Sequence, residues 1–238
     1  MTTNKLRILC LHGYTQNATM FRKKTAAARK SIDDLADFVY ITGPHHISPP
    51  TYSTIAEREE AAKEESSEAE HKPFGWWYSP KYKPTQNGFF VGFKESIEYV
   101  KEVLVKEGPF DGIMGFSQGA CFAALLTELL EDRTYFPDLI SPTFEHPPFK
   151  FSIIVAGFKP TMQEATNIML NKDKLVKTPS MHFIGDLDTL VLPEAMISLS
   201  ETFENPTIFR HTGGHYLPSN ASSRKELERF ITRFITNP

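Results

Sequence analysis

Cysteine is scarce in this sequence, which holds two thiols among 238 residues. Cys10 and Cys121 stand inside apolar runs, and neither belongs to a CxxC pair or to a histidine-rich segment. Because free cysteine is among the most buried residue types, we predict two buried, reduced thiols. The scarcity argues against a disulfide scaffold and a cysteine-based metal site. Reduced thiols agree with the cytoplasmic location that we expect by default, and we expect no metal or other cofactor.

Long hydrophobic runs and a basic excess are also missing. No window approaches the ~18 consecutive apolar residues that a membrane-spanning helix requires, and MTTNKLRILCLHG at the start reads as a buried strand rather than a signal peptide. The net charge is −3, whereas nucleic-acid-binding proteins usually carry a basic excess. The short basic group RKK at 22–24 is expected on a solvated helix face. We therefore predict no membrane span and no nucleic-acid partner, and the oligomeric state stays open.

Short apolar runs alternate along the chain with segments of helical periodicity. Each run is continuous, as expected for strands that are covered on both faces. This order predicts a single α/β domain over 1–238, with a mostly parallel central sheet and helices on both faces. The predicted strands are 6–11, 38–41, 112–116, 151–156, 181–184 and 207–211, and the predicted helices are 21–35, 93–106, 118–130, 193–203 and 224–235.

One region, 44–92, interrupts the alternation after the second predicted strand, and we interpret it as an insertion that forms a partial lid. Its segment 57–71 contains seven glutamates with few apolar companions, which predicts a mobile loop or a solvated helix. The aromatic group that follows is too apolar to remain in water. Its two tryptophans, Trp76 and Trp77, are predicted either to line a substrate pocket or to attach the insertion to the domain body.

The stretch GFSQG matches the G-x-S-x-G pattern of a nucleophile elbow and is centred on Ser117. The predicted strand GIMGF leads into the serine and the predicted helix QGACFAALLTELL leads out of it, which is the order that an elbow requires. Gly115 and Gly119 avoid collisions between the strained turn and its neighbours. The alternative is an ordinary serine that caps a helix after a βα turn.

A nucleophilic serine needs a general base, and the base needs an acid that holds its tautomer. His215 follows TGG in a loop beyond a late strand, and we prefer it to His211, which closes that strand. In GDLDTLV, Asp186 adjoins the turn glycine and can bond backbone amides there, so we prefer Asp188 as the acid. The resulting order, Ser117, Asp188 and His215, is that of the α/β-hydrolases.

Acyl transfer also requires N–H donors for the oxyanion. We expect the backbone amides of Gln118, directly after the nucleophile, and of Tyr14, in the loop LHGYTQN; His12 in this loop is expected to brace it. Phe158 follows the strand FSIIVAG at the sheet edge, and with Tyr14 it is predicted to contact an apolar acyl chain. No arginine suggests a carboxylate or phosphate site, so small charged substrates are not expected.

Five blocks, LCLHGYTQN, GPFDGIMGFSQGA, HPPFKFSIIVAGF, GDLDTLV and HTGGHYLP, together resemble the small serine hydrolase family of fungi and animals, the ovarian-cancer-associated serine hydrolase type. The resemblance runs from the first strand to the last helix, but the glutamate-rich stretch matches no family pattern. It implies an α/β-hydrolase fold, a triad on Ser117, Asp188 and His215, and a small-molecule ester or thioester as substrate. A non-catalytic binding module on the same scaffold and a peptidase are the alternatives.

Overall fold

The computed structural model describes residues 5–47, 72–80, 83, 88–160, 170–171 and 173–235. The predicted glutamate-rich segment 57–71 lies outside these residues. The strands are β1 (Leu6–Leu11), β2 (Ala36–Ile41), β3 (His45–His46), β4 (Phe74–Gly75), β5 (Gly112–Phe116), β6 (Phe151–Val155), β7 (Ser180–Gly185) and β8 (Thr207–His211). The helices are α1 (Ala18–Lys24), α2 (Ala26–Ser31), α3 (Phe93–Glu107), α4 (Gln118–Glu131), α5 (Pro193–Ser200) and α6 (Ala221–Ile235).

Six strands form one sheet in the order β2-β1-β5-β6-β7-β8, and every neighbouring pair is parallel. The carboxyl ends of all six strands therefore meet at one edge. The chain order reverses between β1 and β5, and the crevice at such a reversal is where open α/β sheets bind their ligands. The predicted fold class, a mostly parallel sheet with helices on both faces, is confirmed.

The core has two parts, one on each face of the sheet. Helices α3 and α4 cover one face, and α1, α2 and α6 contribute to the other. Helix α4 is buried over all its residues except the last, which explains its continuous apolar sequence. Cys10 and Cys121 lie in these two parts as buried free thiols, as predicted. No helix within the described ranges is long and apolar enough to cross a membrane.

The single helix predicted over 21–35 is wrong, because the chain forms α1 and α2 with a break at Thr25. The Thr25 hydroxyl donates to the carbonyl of Phe21 (2.9 Å) and lies 2.6 Å from the hydroxyl of Tyr40. A threonine that bonds back to the preceding turn bends a helix, and Tyr40 on β2 holds this bend in place. Helix α1 begins early because the Asn17 side chain caps its first turn (2.9 Å).

The tryptophans of the insertion lie in the core. Trp76 and Trp77 are 0% and 3% exposed, and their rings pack against Phe122 of α4. Trp77 also contacts Phe93 at the start of α3. Neither tryptophan borders either of the two cavities described below, and their contact with a substrate stays a prediction. The alternative, that they attach the insertion to the domain body, describes their contacts.

Candidate active site

Ser117 stands at the end of β5 in a strained backbone conformation, with φ 54° and ψ −116°. Left-handed backbone is costly for a residue with a side chain and persists only where the surroundings impose it. Here the Ser117 N–H donates to the carbonyl of Val155 (2.9 Å), and its own carbonyl accepts from Ala120 (2.9 Å). The Ser117 side chain makes no capping bond to α4, all of whose residues are described. The helix-capping alternative is thereby excluded.

The glycines around Ser117 allow backbone segments to approach closely. A methyl group on Gly119 would lie 2.3 Å from the carbonyl oxygen of Leu11, and one on Gly115 would lie 2.1 Å from the carbonyl of Gly119. Helix α4 therefore sits directly against the end of β1. A methyl group on Gly13 would lie 3.4 Å from Cβ of Ser117, so the loop after β1 borders the serine at the sheet reversal.

Asp188 and His215 meet at the ends of β7 and β8. The Nδ1 atom of His215 lies 2.6 Å from Oδ2 of Asp188, and the other carboxylate oxygen accepts from the amides of Leu190 (2.9 Å) and Val191 (3.0 Å). The Asp188 side chain is fully buried and that of His215 is 15% exposed. Because the carboxylate can only accept, Nδ1 carries the proton, which leaves Nε2 of a neutral imidazole free to act as a base.

The elbow and His215 share one region, and the alternative residues are occupied elsewhere. The ring of Phe116, directly before the serine, lies 4.8 Å from the imidazole of His215. Asp186 forms an ion pair with Arg210 (2.7 Å) at the surface. His211 is buried, accepts a hydrogen bond on Nδ1 from Gly213 (3.2 Å), and its pKa is lowered by burial. The structure thus brings Asp188, and not Asp186, to a histidine of the late loops.

His12 is a buried, neutral residue that fixes the loop after β1. Its Nε2 accepts from the amide of Gly43 (2.8 Å), so its Nδ1 must carry the hydrogen that points at the carbonyl of Gly13 (2.7 Å). Burial lowers the pKa of His12 to about 4. Both ring nitrogens are committed to the backbone, so His12 braces the loop and is not a base.

Two backbone segments border Ser117: the start of α4 and the loop after β1. Gln118 is the first residue of α4, so its N–H has no partner within the helix and lies at the positive end of the helix dipole. Tyr14 follows Gly13 in a turn closed by the Gln16 amide on the Gly13 carbonyl (3.1 Å). The Tyr14 hydroxyl accepts from the amide of Ser79 (3.5 Å), so its side chain reaches toward the insertion.

The Gln118 side chain has a structural role that the sequence analysis did not predict. Its Oε1 accepts from the Trp76 amide (2.9 Å), and its Nε2 donates to the carbonyl of Trp77 (2.8 Å). The Trp76 indole N–H in turn donates to the carbonyl of His12 (2.8 Å). One network therefore joins the start of α4 to the loop after β1. A glutamine at the start of an apolar helix, and an indole N–H that needs an acceptor, were the available signals.

Two cavities lie at the late loops: one is bordered by the residues that follow Asp188 in its loop, and the other by His215 itself. The first, here named the acid-loop cavity, has a volume of about 450 Å³ and is bordered by Phe158, Lys159, Leu190, Leu192 and Ser198, among others. The second, the histidine cavity, has a volume of about 260 Å³ and is bordered by Phe21, Lys24, Phe116, His215 and Leu217, among others. Phe158 thus lies at the sheet edge, in an apolar wall.

Comparisons with known proteins identify the family. The chain matches the family model described as serine hydrolase (FSH1) over residues 1–227. The esterase OVCA2 of Danio rerio is 33% identical over 239 residues, a match that spans 98% of this chain and 100% of that protein. This agreement over nearly the whole of both chains confirms the resemblance found in the sequence blocks.

Solved structures share the fold at low sequence identity. SOBER1 of Arabidopsis thaliana superposes with a TM-score of 0.58 at 17% identity, covering 97% of this chain and 99% of that one. Acyl-protein thioesterase 2 of Zea mays gives a TM-score of 0.58 at 16% identity, covering 98% and 95%. Taken with the match over residues 1–227, the likeness shows that the chain belongs to the serine hydrolase (FSH1) family and has the fold of the α/β-hydrolases.

Proposed function

We propose that this protein hydrolyses carboxylic esters or thioesters through an acyl-enzyme, with Ser117, Asp188 and His215 as its triad. The observation that carries the proposal is the 2.6 Å contact between buried Asp188 and His215, beside a serine held in a strained elbow. The relatives support the substrate class, since one is named an esterase and another structure with this fold is an acyl-protein thioesterase.

The reaction proceeds in two halves. Oγ of Ser117 attacks the substrate carbonyl carbon while its proton passes to Nε2 of His215, and Asp188 stabilises the imidazolium. The backbone amides of Gln118 and Tyr14 hold the oxyanion. His215 then gives the proton to the departing oxygen or sulfur, so that the carbon–oxygen or carbon–sulfur bond breaks. Water attacks the acyl-enzyme, with His215 as its base, and releases the acid and the free serine.

The acyl part of the substrate is proposed to be an apolar chain. The acid-loop cavity adjoins the loop that carries Asp188. Phe158, Leu190 and Leu192 give it apolar walls, and Lys159 borders it as the one charged side chain among its described lining residues. Its volume of about 450 Å³ falls within the range of small-molecule sites. The apolar walls favour a hydrocarbon chain in contact with them.

A fluorophosphonate probe tests the nucleophile. The wild-type protein is expected to be labelled once and to hydrolyse p-nitrophenyl acyl esters, whereas Ser117→Ala shows neither labelling nor turnover. A folded wild-type sample that resists the probe and leaves every ester intact would contradict the proposal and favour a binding module. Peptide p-nitroanilides measured beside the esters separate an esterase from a peptidase.

A further inference from the structure

The histidine cavity contains an ammonium group close to the proposed general acid. Nζ of Lys24 lies 6.0 Å from the centre of the Phe116 ring, and the same ring lies 4.8 Å from the imidazole of His215. Phe21 and Leu217 complete an apolar floor below these groups. A lysine at the end of α1 and the histidine of the loop after β8 thus face one small cavity of about 260 Å³.

Lys24 carries the permanent charge of this cavity, whose other lining side chains are aromatic, aliphatic, hydroxyl or imidazole groups. It makes no ion pair with any residue that the structure describes. Asp188, the carboxylate nearest to His215, is already occupied by that histidine and by two backbone amides. The last turn of α1 is basic throughout, with Arg22 and Lys23 beside Lys24. Among the described residues, the cavity therefore offers a positive charge that no carboxylate pairs with.

The proposed mechanism indicates whether the acyl part or the leaving group of the substrate lies near Lys24. His215 must deliver a proton to the departing atom, so the leaving group has to lie against His215. His215 borders the histidine cavity and does not border the acid-loop cavity. The acyl chain then takes the acid-loop cavity, and the alcohol or thiol takes the histidine cavity.

We propose that the histidine cavity binds the leaving group, and that Lys24 gives the enzyme a preference for an alcohol or thiol that carries phosphate. The inference rests on the proposed function. Lysine is a point-charge partner that suits phosphate, and an apolar floor with one ammonium fits a carbon chain that ends in an anion. This departs from the sequence-based expectation that small charged substrates are disfavoured, which rested on the lack of a suggestive arginine. Lys24 is exposed, as predicted for the basic group at 22–24, and it also borders the cavity.

Two pairs of substrates with identical acyl chains test this preference. Decanoyl-coenzyme A is compared with the decanoyl thioester of N-acetylcysteamine, and decanoylglycerol 3-phosphate is compared with decanoylglycerol. Lys24→Ala is expected to lower kcat/KM for the phosphate-bearing member about 5-fold, and Lys24→Glu about 20-fold, because a solvent-accessible charge pair has a modest effect that doubles on charge reversal. The neutral members change less than about 2-fold on the same grounds. The pair that responds identifies the leaving group as a thiol or an alcohol.

Lys30→Glu is the matched control, since this exposed lysine of α2 changes the net charge equally and does not border the cavity. High salt should remove the Lys24 effect, because screening weakens charge pairs at the surface. Equal losses on charged and neutral substrates, or equal losses in Lys24→Glu and Lys30→Glu, would overturn the inference while leaving the esterase intact. Failure of wild type on all four substrates, with no probe labelling at Ser117, would instead refute the proposed function.

Discussion

The loop after β1 and the loops after β7 and β8 reach the same edge of the sheet, but they are built in opposite ways. The loop after β1 is held by buried hydrogen bonds through His12, Trp76 and the Gln118 side chain. The late loops instead expose large apolar side chains. Four of the seven exposed large hydrophobic residues among the described ones lie there: Leu187 (69%), Leu190 (76%), Leu192 (59%) and Tyr216 (52%).

This contrast fits the different tasks proposed for the two sides. Oxyanion donors act only if they are already in place when charge develops, so the segment that carries them benefits from a buried network. The late loops join Asp188 to His215 by one short contact and hold Asp188 by two backbone amides, and they also border the cavities proposed to receive the substrate. Exposed apolar groups around a binding cleft are typical of surfaces that meet an apolar ligand. The loop after β1 is thus the fixed side, and the late loops are the side proposed to contact the substrate.

The largest expected effect comes from the late loops, with Asp188→Asn. An asparagine amide would donate toward Nδ1 of His215 and favour the wrong tautomer, so kcat should fall about 10³- to 10⁴-fold. The fold should survive, because the side chain keeps an oxygen for the amides of Leu190 and Val191. Ester hydrolysis and thermal unfolding of the same samples measure the two expectations.

Asp186→Asn is the control, because Asp186 pairs with Arg210 at the surface and an exposed ion pair contributes little to stability. It should retain activity within about 2-fold on that reasoning. Full activity in Asp188→Asn together with loss in Asp186→Asn would transfer the acid role to Asp186.

The next largest effect is expected from Gln118→Met, which tests the network that holds the loop after β1. This variant keeps the side-chain length and removes both hydrogen bonds to Trp76 and Trp77. We expect kcat to fall about 10- to 100-fold with little change in KM, because a small displacement of a catalytic group costs that much. Unfolding should become easier by about 3 kcal/mol, since the Trp76 amide and the Trp77 carbonyl lose their partner. Affinity for an alkyl boronic acid, which mimics the tetrahedral intermediate, should fall in parallel with kcat.

Thr127→Val is the matched control for this variant. Thr127 is buried on the same helix, and its hydroxyl donates to the carbonyl of Ala123 (2.7 Å), away from the elbow. It should lose stability and retain kcat and boronate affinity. If both variants lose only stability, Gln118 is a structural residue without influence on the oxyanion site.

Much of the fold could be predicted from the pattern of apolar residues within each strand and helix. Strands buried on both sides read as continuous apolar runs, so all six sheet strands were predicted within two residues of their observed ends. The elbow was visible because its chemistry demands glycine at fixed positions around Ser117. The break between α1 and α2 was not visible, since it depends on the contact between Thr25 and Tyr40 of another strand.

The tertiary polar contacts of the site could not be predicted for the same reason. Nothing local shows that the Gln118 side chain meets a segment about forty positions earlier in the chain. Aromatic residues such as Trp76 predict burial but not the surface that buries them. That Lys24 and His215 border one cavity depends on how α1 and the loop after β8 pack together, which no local pattern predicts.

A smaller effect concerns the pH dependence of stability on the fixed side. His12 stays neutral in the folded protein until its pKa of about 4, whereas the unfolded chain takes up this proton near the ordinary value of 6.5. Between these pH values, His12 therefore takes up about one proton when the chain unfolds. The free energy of unfolding falls as pH drops through this range. His12→Gln should remove about one proton from the denaturation slope near pH 5. An NMR titration of wild type that shows every imidazole protonated by pH 5 would contradict this.

The smallest effect returns to the late loops and to their exposed leucines. Leu190 and Leu192 border the acid-loop cavity, so Leu190→Ser and Leu192→Ser should each lower kcat/KM about 5-fold for a long-chain ester, because they remove apolar contact area worth about 1 kcal/mol. A two-carbon acetyl ester is too short to use that wall and should be hydrolysed at the wild-type rate. Ile208→Ser on β8 removes another exposed apolar side chain, one that does not border the cavity, and it should leave both esters unchanged. If Leu190→Ser and Ile208→Ser behave alike across the chain-length series, the exposed leucines do not contact the acyl chain, and the substrate-facing role of these loops would rest on Asp188 and His215 alone.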